Sequence, residues 1–330
     1  MEPFRLENNN GVEVEFLSHA GRIFSVKVPD GYDKTDIVLG GNLQADPFMG
    51  ALCGRFANRI AKGIVRLDNK LIRLSVNEPP NHLHGGFHGF NTKIWSVEPY
   101  ALKEYGSAFR LTLFSPDGEE GYPGNLKVEV IYALNDNNEL LIDFKAKTDK
   151  TTIINLASHP YFNLNGVENG NVFNHQLQVF ADYFTPIDQG GIPTGEFANV
   201  EGTAMDLREP ALLGKVIQSS FPQILMKDGL DHTWVVNRKD KDLTRACILS
   251  EPESGRAVEV FTTQPALQVY TGNHFDGSRK EKSGVLMQKY AGVALEAQNI
   301  PDAPNKPNFP NSMLRPGETY HEQIVYRFVF

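Results

Sequence analysis

Cysteine is scarce in this chain, at two residues, Cys53 and Cys247, each in an apolar stretch. Two isolated cysteines read as reduced core residues and not as a disulfide framework. Basic residues are outnumbered: the net charge is -8, and no stretch concentrates Lys and Arg. The patch of positive charge that nucleic acid or an anionic membrane surface requires is therefore missing. No apolar run approaches the length of a membrane span, and Met1-Glu2-Pro3-Phe4-Arg5 opens without an apolar signal segment. The expectation is a cytoplasmic protein. Neither a Gly-x-Gly-x-x-Gly turn nor a phosphate loop occurs, and no Gly-x-Ser-x-Gly elbow offers a hydrolase serine.

What is present is alternation. The chain has 330 residues, 41% hydrophobic and 22% charged, enough for a substantial core. Val12, Val14 and Phe16 alternate with Glu13 and Glu15. The same pattern runs through Leu126–Tyr132, Ile142–Lys147, Ala257–Phe261 and Gln323–Phe328. Such alternation is what strands with one buried and one wet face produce. Turn residues divide the runs, at Pro29-Asp30-Gly31, Asp117-Gly118, Asn135-Asp136-Asn137-Asn138, Gly190-Gly191 and Pro316-Gly317. Helical spacing is confined to Glu209–Ser219, through Leu212, Leu213 and Val216. Without a strand-helix-strand rhythm the prediction is all-β, a large antiparallel β-sandwich forming one domain over 1–330.

Five segments interrupt this pattern with polar chemistry. The first, Gly54-Arg55-Phe56-Ala57-Asn58-Arg59-Ile60, holds two arginines among small and apolar residues. Either they point outward from a strand, or Asn58 and Arg59 present fixed donors to hydroxyl groups. The second, Asn81-His82-Leu83-His84-Gly85-Gly86-Phe87-His88, places three histidines within seven positions. His82 and His84 would share one strand face and could ligate a metal, yet no carboxylate or cysteine stands nearby. The Gly pair instead suggests a loop that lets a flat ligand approach the backbone.

The third, Asn155-Leu156-Ala157-Ser158-His159-Pro160-Tyr161-Phe162, fixes a histidine before a proline, which disfavours helical backbone there. His159 is either a satisfied core residue or a general acid beside an aromatic platform, with an unperturbed pKa suited to proton donation. The fourth, Leu230-Asp231-His232-Thr233-Trp234, follows the turn Lys227-Asp228-Gly229. Asp231 caps that turn or accepts hydrogen bonds from vicinal hydroxyls, and Trp234 reads as core. The fifth, Gly292-Val293-Ala294-Leu295-Glu296-Ala297-Gln298, sets one carboxylate inside an apolar strand. Glu296 is then paired, exposed on the far face, or raised in pKa by burial toward that of a general base. Gln268, in Ala266-Leu267-Gln268-Val269-Tyr270, is a further polar interruption of an apolar strand.

In this order the segments resemble the aldose 1-epimerase (galactose mutarotase) family, from about Gly11 to Arg327. The resemblance rests on Gly-Arg-x-Ala-Asn-Arg-Ile, Leu-His-Gly-Gly, His-x-Tyr-Phe-Asn-Leu, Leu-Asp-His and Leu-Glu-x-Gln-x-x-Pro-Asp-x-Pro-Asn, and on the closing Leu314-Arg315-Pro316-Gly317-Glu318. It implies a large antiparallel β-sandwich that interconverts the anomers of a free aldose such as galactose or glucose, in hexose metabolism. By the resemblance the catalytic base is Glu296, the catalytic acid His159 and the second active-site histidine His84. Sugar-binding positions fall on Asn58, Arg59, Tyr161, Asp231 and Gln268. The partner implied is a small sugar, with no metal or other cofactor, for a monomer or homodimer. Ala157, Ser158 and Pro160 depart from the family's Asn-x-Thr-Asn-His-Ser-Tyr-Phe beside the acid and bear on substrate preference.

The chemistry needs few groups. Opening a cyclic hemiacetal removes a proton from the anomeric hydroxyl and delivers one to the ring oxygen; rotation and reclosure give the other anomer. Three rivals remain: a non-catalytic carbohydrate-binding sandwich, a metal-dependent enzyme using His82, His84 and His88, and a hexose-phosphate epimerase. The first has no use for both Glu296 and His159. Metal content separates the second. The third wants several basic residues at a pocket mouth, where the motifs supply Arg55 and Arg59.

Overall fold

The alternating segments form strands, and nearly all of them pair antiparallel. The computed structural model describes residues 2–31, 33–41 and 46–330. Its largest sheet has nine strands. In spatial order they are Ser96–Pro99, Ser107–Ser115, Leu126–Leu134, Glu139–Thr148, Tyr320–Val329, Arg256–Thr262, Thr244–Glu251, Gln176–Val179 and Ala211–Leu212. The last strand in sequence is thus the middle of the sheet. A second sheet of six strands runs Tyr161–Phe162, Val293–Gln298, Ala266–Tyr270, Asp231–Val235, Tyr183–Thr185 and Ala198–Asn199. A four-stranded meander of Phe4–Glu7, Glu13–Leu17, Arg22–Pro29 and Lys34–Asp36 completes the main layers.

One core joins these sheets. Val130, Tyr132, Ile142, Phe144, Val258, Val260, Ile324 and Phe328 from the large sheet cluster with Leu267, Val269, Val293, Leu295, Ala297 and Trp234 from the six-stranded one. Val14, Phe16, Ile23 and Val26 of the meander enter the same cluster. The Tyr326 hydroxyl donates to the carbonyl of Leu295 at 3.2 Å, tying the central strand of one sheet to the other. Burial of this many branched and aromatic side chains, at roughly 1.5–3 kcal/mol each, is the main stabilising term. Trp234 is core, as its sequence setting suggests, with its indole N–H on the Met205 carbonyl at 3.0 Å. Cys53 and Cys247 are free and buried.

The helical expectation over Glu209–Ser219 is corrected. Ala211–Leu212 is a strand paired with Gln176 and Leu177, and the helix is only Leu213–Ile217. Pro210 disfavours helical backbone before it, and the sheet claims the next two residues. A second short helix, Pro222–Lys227, starts on a proline at its first turn, where the missing N–H costs nothing. No helix among the described residues is long and apolar enough to cross a membrane.

Candidate active site

The six-stranded sheet presents the site on the face opposite its core. Leu267, Val269, Leu295 and Ala297 point into the core, so Gln268 and Glu296, one residue out of phase, point the other way. Register then assembles them: Gln268 lies directly across from Glu296, and Thr233 across from Gln268. In the next row Tyr161 pairs with Ala294, Ala294 with Tyr270, and Tyr270 with Asp231. Four residues predicted from separate motifs therefore share one sheet face.

Loops bring the others. Both backbone groups of His159 are pinned: its N–H donates to the Ala51 carbonyl at 3.0 Å and its carbonyl accepts the Gly50 N–H at 2.7 Å. Its Nε2 lies 3.4 Å from Glu296 Oε1, and its ring stacks on Tyr161 with centroids 4.9 Å apart. Arg59–Ile60 pairs with His82–Leu83, and both Asn58 (φ +66°) and His84 (φ +48°) adopt left-handed backbone beside that ladder. The twist at His84 turns its ring away from that of His82 and into a cavity of about 260 Å³ lined also by Asn58, Arg59, His159, Asp231 and Glu296.

Several polar groups in this cavity hold one another in place. The Arg59 guanidinium grips Glu78 through Nε and Nη2, both at 2.7 Å, while Nη1 lies 3.6 Å from Asp231 Oδ2. Burial opposes the charge on Arg59, but Asp231 and Glu78 outweigh it and raise its pKa. Asp231 is likewise opposed by burial and held below the ordinary carboxylate range by Arg59 and Lys227. The Gln268 amide donates to Asp231 Oδ1 at 2.7 Å and accepts from the Thr233 hydroxyl.

Glu296 and His159 are pushed in opposite directions by the same cause. Burial raises the Glu296 pKa well above its usual value, with Asp231 adding to it and Arg59 opposing. Burial lowers that of His159, against the pull of Asp46 and Asp231. The two proton affinities converge, as a pair that passes protons in both directions requires. His84 stays neutral: burial, then His159 and Arg59, lower its pKa well below the usual value.

His84 also answers the metal question. His84, His159 and Glu296 are the one group among the described residues whose ligand atoms lie close enough, within 4.8 Å, to hold an ion. But the Asn58 backbone N–H donates to His84 Nδ1 at 3.1 Å, so the ring proton resides on Nε2. A nitrogen carrying its proton donates a hydrogen bond; it does not ligate a cation.

The three-histidine cluster is not assembled. His82 Nε2 meets the Tyr122 hydroxyl at 2.5 Å and its Nδ1 the Ser75 carbonyl at 2.7 Å, while His88 is exposed. The Gly pair serves packing, because a Cβ on Gly85 would fall 1.8 Å from the Gly54 carbonyl oxygen. Arg55 neither points outward nor enters the cavity. It is 2% exposed and spends its donors on Ser115, Pro116, Pro123 and Gly124. Sequence reasoning missed Asp46, Phe48, Glu78, Tyr270, His274 and Arg279 in the cavity wall. Tyr270 was within reach, two residues beyond Gln268 on the same strand face. A larger groove of about 800 Å³ crosses the outer face of the nine-stranded sheet beside Phe114, but it has no histidine and no buried acid.

The aldose 1-epimerase family model matches residues 2–327. Galactose mutarotase of Rattus norvegicus is 42% identical over 99% of this chain and 94% of its own. Aldose 1-epimerase of Escherichia coli is 33% identical over 99% of this chain and 96% of its own. Among solved structures, an aldose epimerase homologue from C. elegans superposes with a TM-score of 0.89 at 27% identity, covering 99% of this chain and 98% of the other. Galactose 1-epimerase from Lactobacillus acidophilus gives 0.87 at 32% identity, covering 99% and 94%. The antiparallel sheets, the convergent polar face and these full-length matches agree, and the chain belongs to the aldose 1-epimerase family.

Proposed function

We propose that this isomerase interconverts the α and β anomers of free aldohexoses, galactose and glucose first among them, through Glu296 and His159. The Glu296 carboxylate takes the proton of the anomeric hydroxyl while His159 protonates the ring oxygen; the ring opens, the aldehyde rotates, and the same two groups reverse roles on closure. The observation that carries this reading is the 3.4 Å approach of two enclosed, oppositely shifted groups at the floor of a polar cavity. Each positioned acid or base contributes about 10²–10⁴-fold, so the pair lowers the barrier by roughly 5–11 kcal/mol. His84 Nε2, Arg59, Asn58, Asp231 and Gln268 hold hydroxyls so that the rotating aldehyde stays in reach. Tyr161 supports the His159 ring from below. No step in this scheme transfers hydride or phosphate. We also read residues 1–330 as one domain acting in the cytoplasm on a small sugar, as a monomer or homodimer.

Polarimetry of freshly dissolved α-galactose and α-glucose tests the assignment. Faster approach to the same final rotation is expected, and no acceleration of either sugar would overturn it.

A further inference from the structure

Two side chains at the open end of the catalytic cavity belong to none of the five motifs. His274 and Arg279 line the cavity together with His159 and Glu296. Both are exposed, whereas Glu296 and His159 are 2% and 4% exposed, so the four mark a mouth and a floor. His274 and Arg279 lie on the connection between Ala266–Tyr270 and Val293–Gln298, the strands that carry Gln268 and Glu296.

Arg279 makes no close ion pair among the described residues, although its charge is one of those that hold the nearby Asp276 carboxyl low. Arg59, the other arginine of the cavity, is engaged by Glu78 and Asp231. Of the acids in the wall, Glu78 is taken by Arg59, and Asp46 Oδ1 accepts the N–H groups of Phe48 and Met49 at 2.9 and 3.1 Å. His274 is oriented by Tyr270. The Tyr270 hydroxyl accepts the His274 backbone N–H at 3.1 Å and lies 2.9 Å from its Nδ1. Tyr270 thus engages Nδ1, and Nε2 is the ring nitrogen left for a ligand.

We propose that Arg279 and His274 form an anion-accepting lip, and that hexuronic acids, which carry a carboxylate at the carbon farthest from the anomeric centre, are substrates beside neutral hexoses. The inference rests on the proposed roles of Glu296 and His159, which seat the C1–ring-oxygen edge at the floor; the C6 carboxylate, borne by the carbon next to the ring oxygen, then projects from the side of the ring, between floor and mouth, where a long side chain from the mouth can meet it. One guanidinium fork with one imidazole beside it matches a planar monoanion. A phosphate dianion calls for more positive charge than this mouth supplies, given Asp46, Asp231 and Glu296 in the same wall.

Anomer exchange measured by NMR on galactose, galacturonate and galactose 6-phosphate, at matched ionic strength and with the spontaneous rate subtracted, tests this. The wild type should exchange galacturonate, and the ratio of kcat/KM for galacturonate to that for galactose should fall about tenfold in Arg279→Gln, the lower end expected for a charge-assisted contact at an exposed site. Arg279→Lys, which keeps the charge, should recover part of the ratio. A ratio unmoved by Arg279→Gln, or galacturonate left unexchanged while galactose is exchanged, overturns the lip. A ratio that favours galactose 6-phosphate and depends on Arg279 overturns the choice of carboxylate. Galactose itself left unexchanged removes the catalytic reading on which the lip depends.

Discussion

Glu296 Oε1 stands 3.4 Å from His159 Nε2, and neither side chain is more than 5% exposed. A carboxylate and an imidazole enclosed together hold a proton between them in a way that neither would alone. Burial raises the proton affinity of Glu296 and lowers that of His159, and the proposed mechanism needs both to take and to give.

Glu296→Gln keeps the shape and removes the proposed base. Turnover should fall by about 10²–10⁴-fold while sugar binding, read by calorimetry, is largely kept. The same variant carries a stability signature. A carboxyl whose folded pKa lies above its unfolded value contributes stability at low pH and loses it as pH rises through the folded value. Glutamine cannot ionise, so Glu296→Gln should melt above wild type at pH 7.5, with the gap closing as pH falls toward 4.5. A variant that melts lower across this range would contradict the burial cost assigned to Glu296.

His84 is a donor through Nε2 because the Asn58 N–H occupies Nδ1. Gln places an amide N–H near the Nε2 position and Asn does not reach it. His84→Gln should therefore retain at least fivefold more kcat/KM than His84→Asn, a difference of about 1 kcal/mol for one hydrogen bond. Equal losses in a steady-state comparison of the two variants would argue that the ring serves only to pack against Phe48, 4.6 Å away.

Glu78 acts through Arg59. Its two oxygens fix the guanidinium plane, and Arg59 in turn holds Asp231. Glu78→Gln should raise KM about fivefold and change kcat less than twofold, a modest effect because the Glu78 side chain is 36% exposed and partly screened. Arg59→Lys forfeits the fork and should cost more. If kcat falls as far as KM rises, Glu78 bears on the chemical step and not on positioning.

Glu296 was legible because a carboxylate in an apolar strand is a local anomaly, and Gln268 for the same reason. The strand period then fixes which face both occupy, and pairing does the rest. Glu78 was not legible: it sits in Asn77-Glu78-Pro79-Pro80, a segment without period, and meets Arg59 only after Arg59–Ile60 and His82–Leu83 pair. The His82 and His84 reading failed because period two holds only while the backbone stays extended, and at His84 it does not. Arg55, expected to point outward or to stand at a pocket mouth, could not be placed from the sequence because its five acceptors come from 60 to 69 residues away, a distance no local pattern spans. His274 and Arg279 lie in a long connection whose only sequence signal is its turn residues.

Two histidines outside the catalytic step should set the acid limit of the fold. His175 Nε2 accepts the Leu164 N–H at 2.8 Å, and His232 Nδ1 accepts the Asp231 N–H at 3.1 Å. Burial lowers each from 6.5 to about 4, against the pull of Glu251 on His175 and of Asp231 on His232. A histidine depressed in the folded state contributes stability that is present above the unfolded pKa and lost as pH falls toward the folded one. From pH 7 to 5.5 the unfolded chain takes up these protons and the folded chain does not, so each histidine should remove roughly 1 kcal/mol of stability. Ordinary carboxylates stay ionised over that step and contribute little. Urea unfolding at the two pH values measures the loss, and His175→Gln should shrink it by about 1 kcal/mol whatever the variant's absolute stability. An undiminished loss would mean that His175 protonates in the folded protein, and that the Leu164 N–H can find another acceptor.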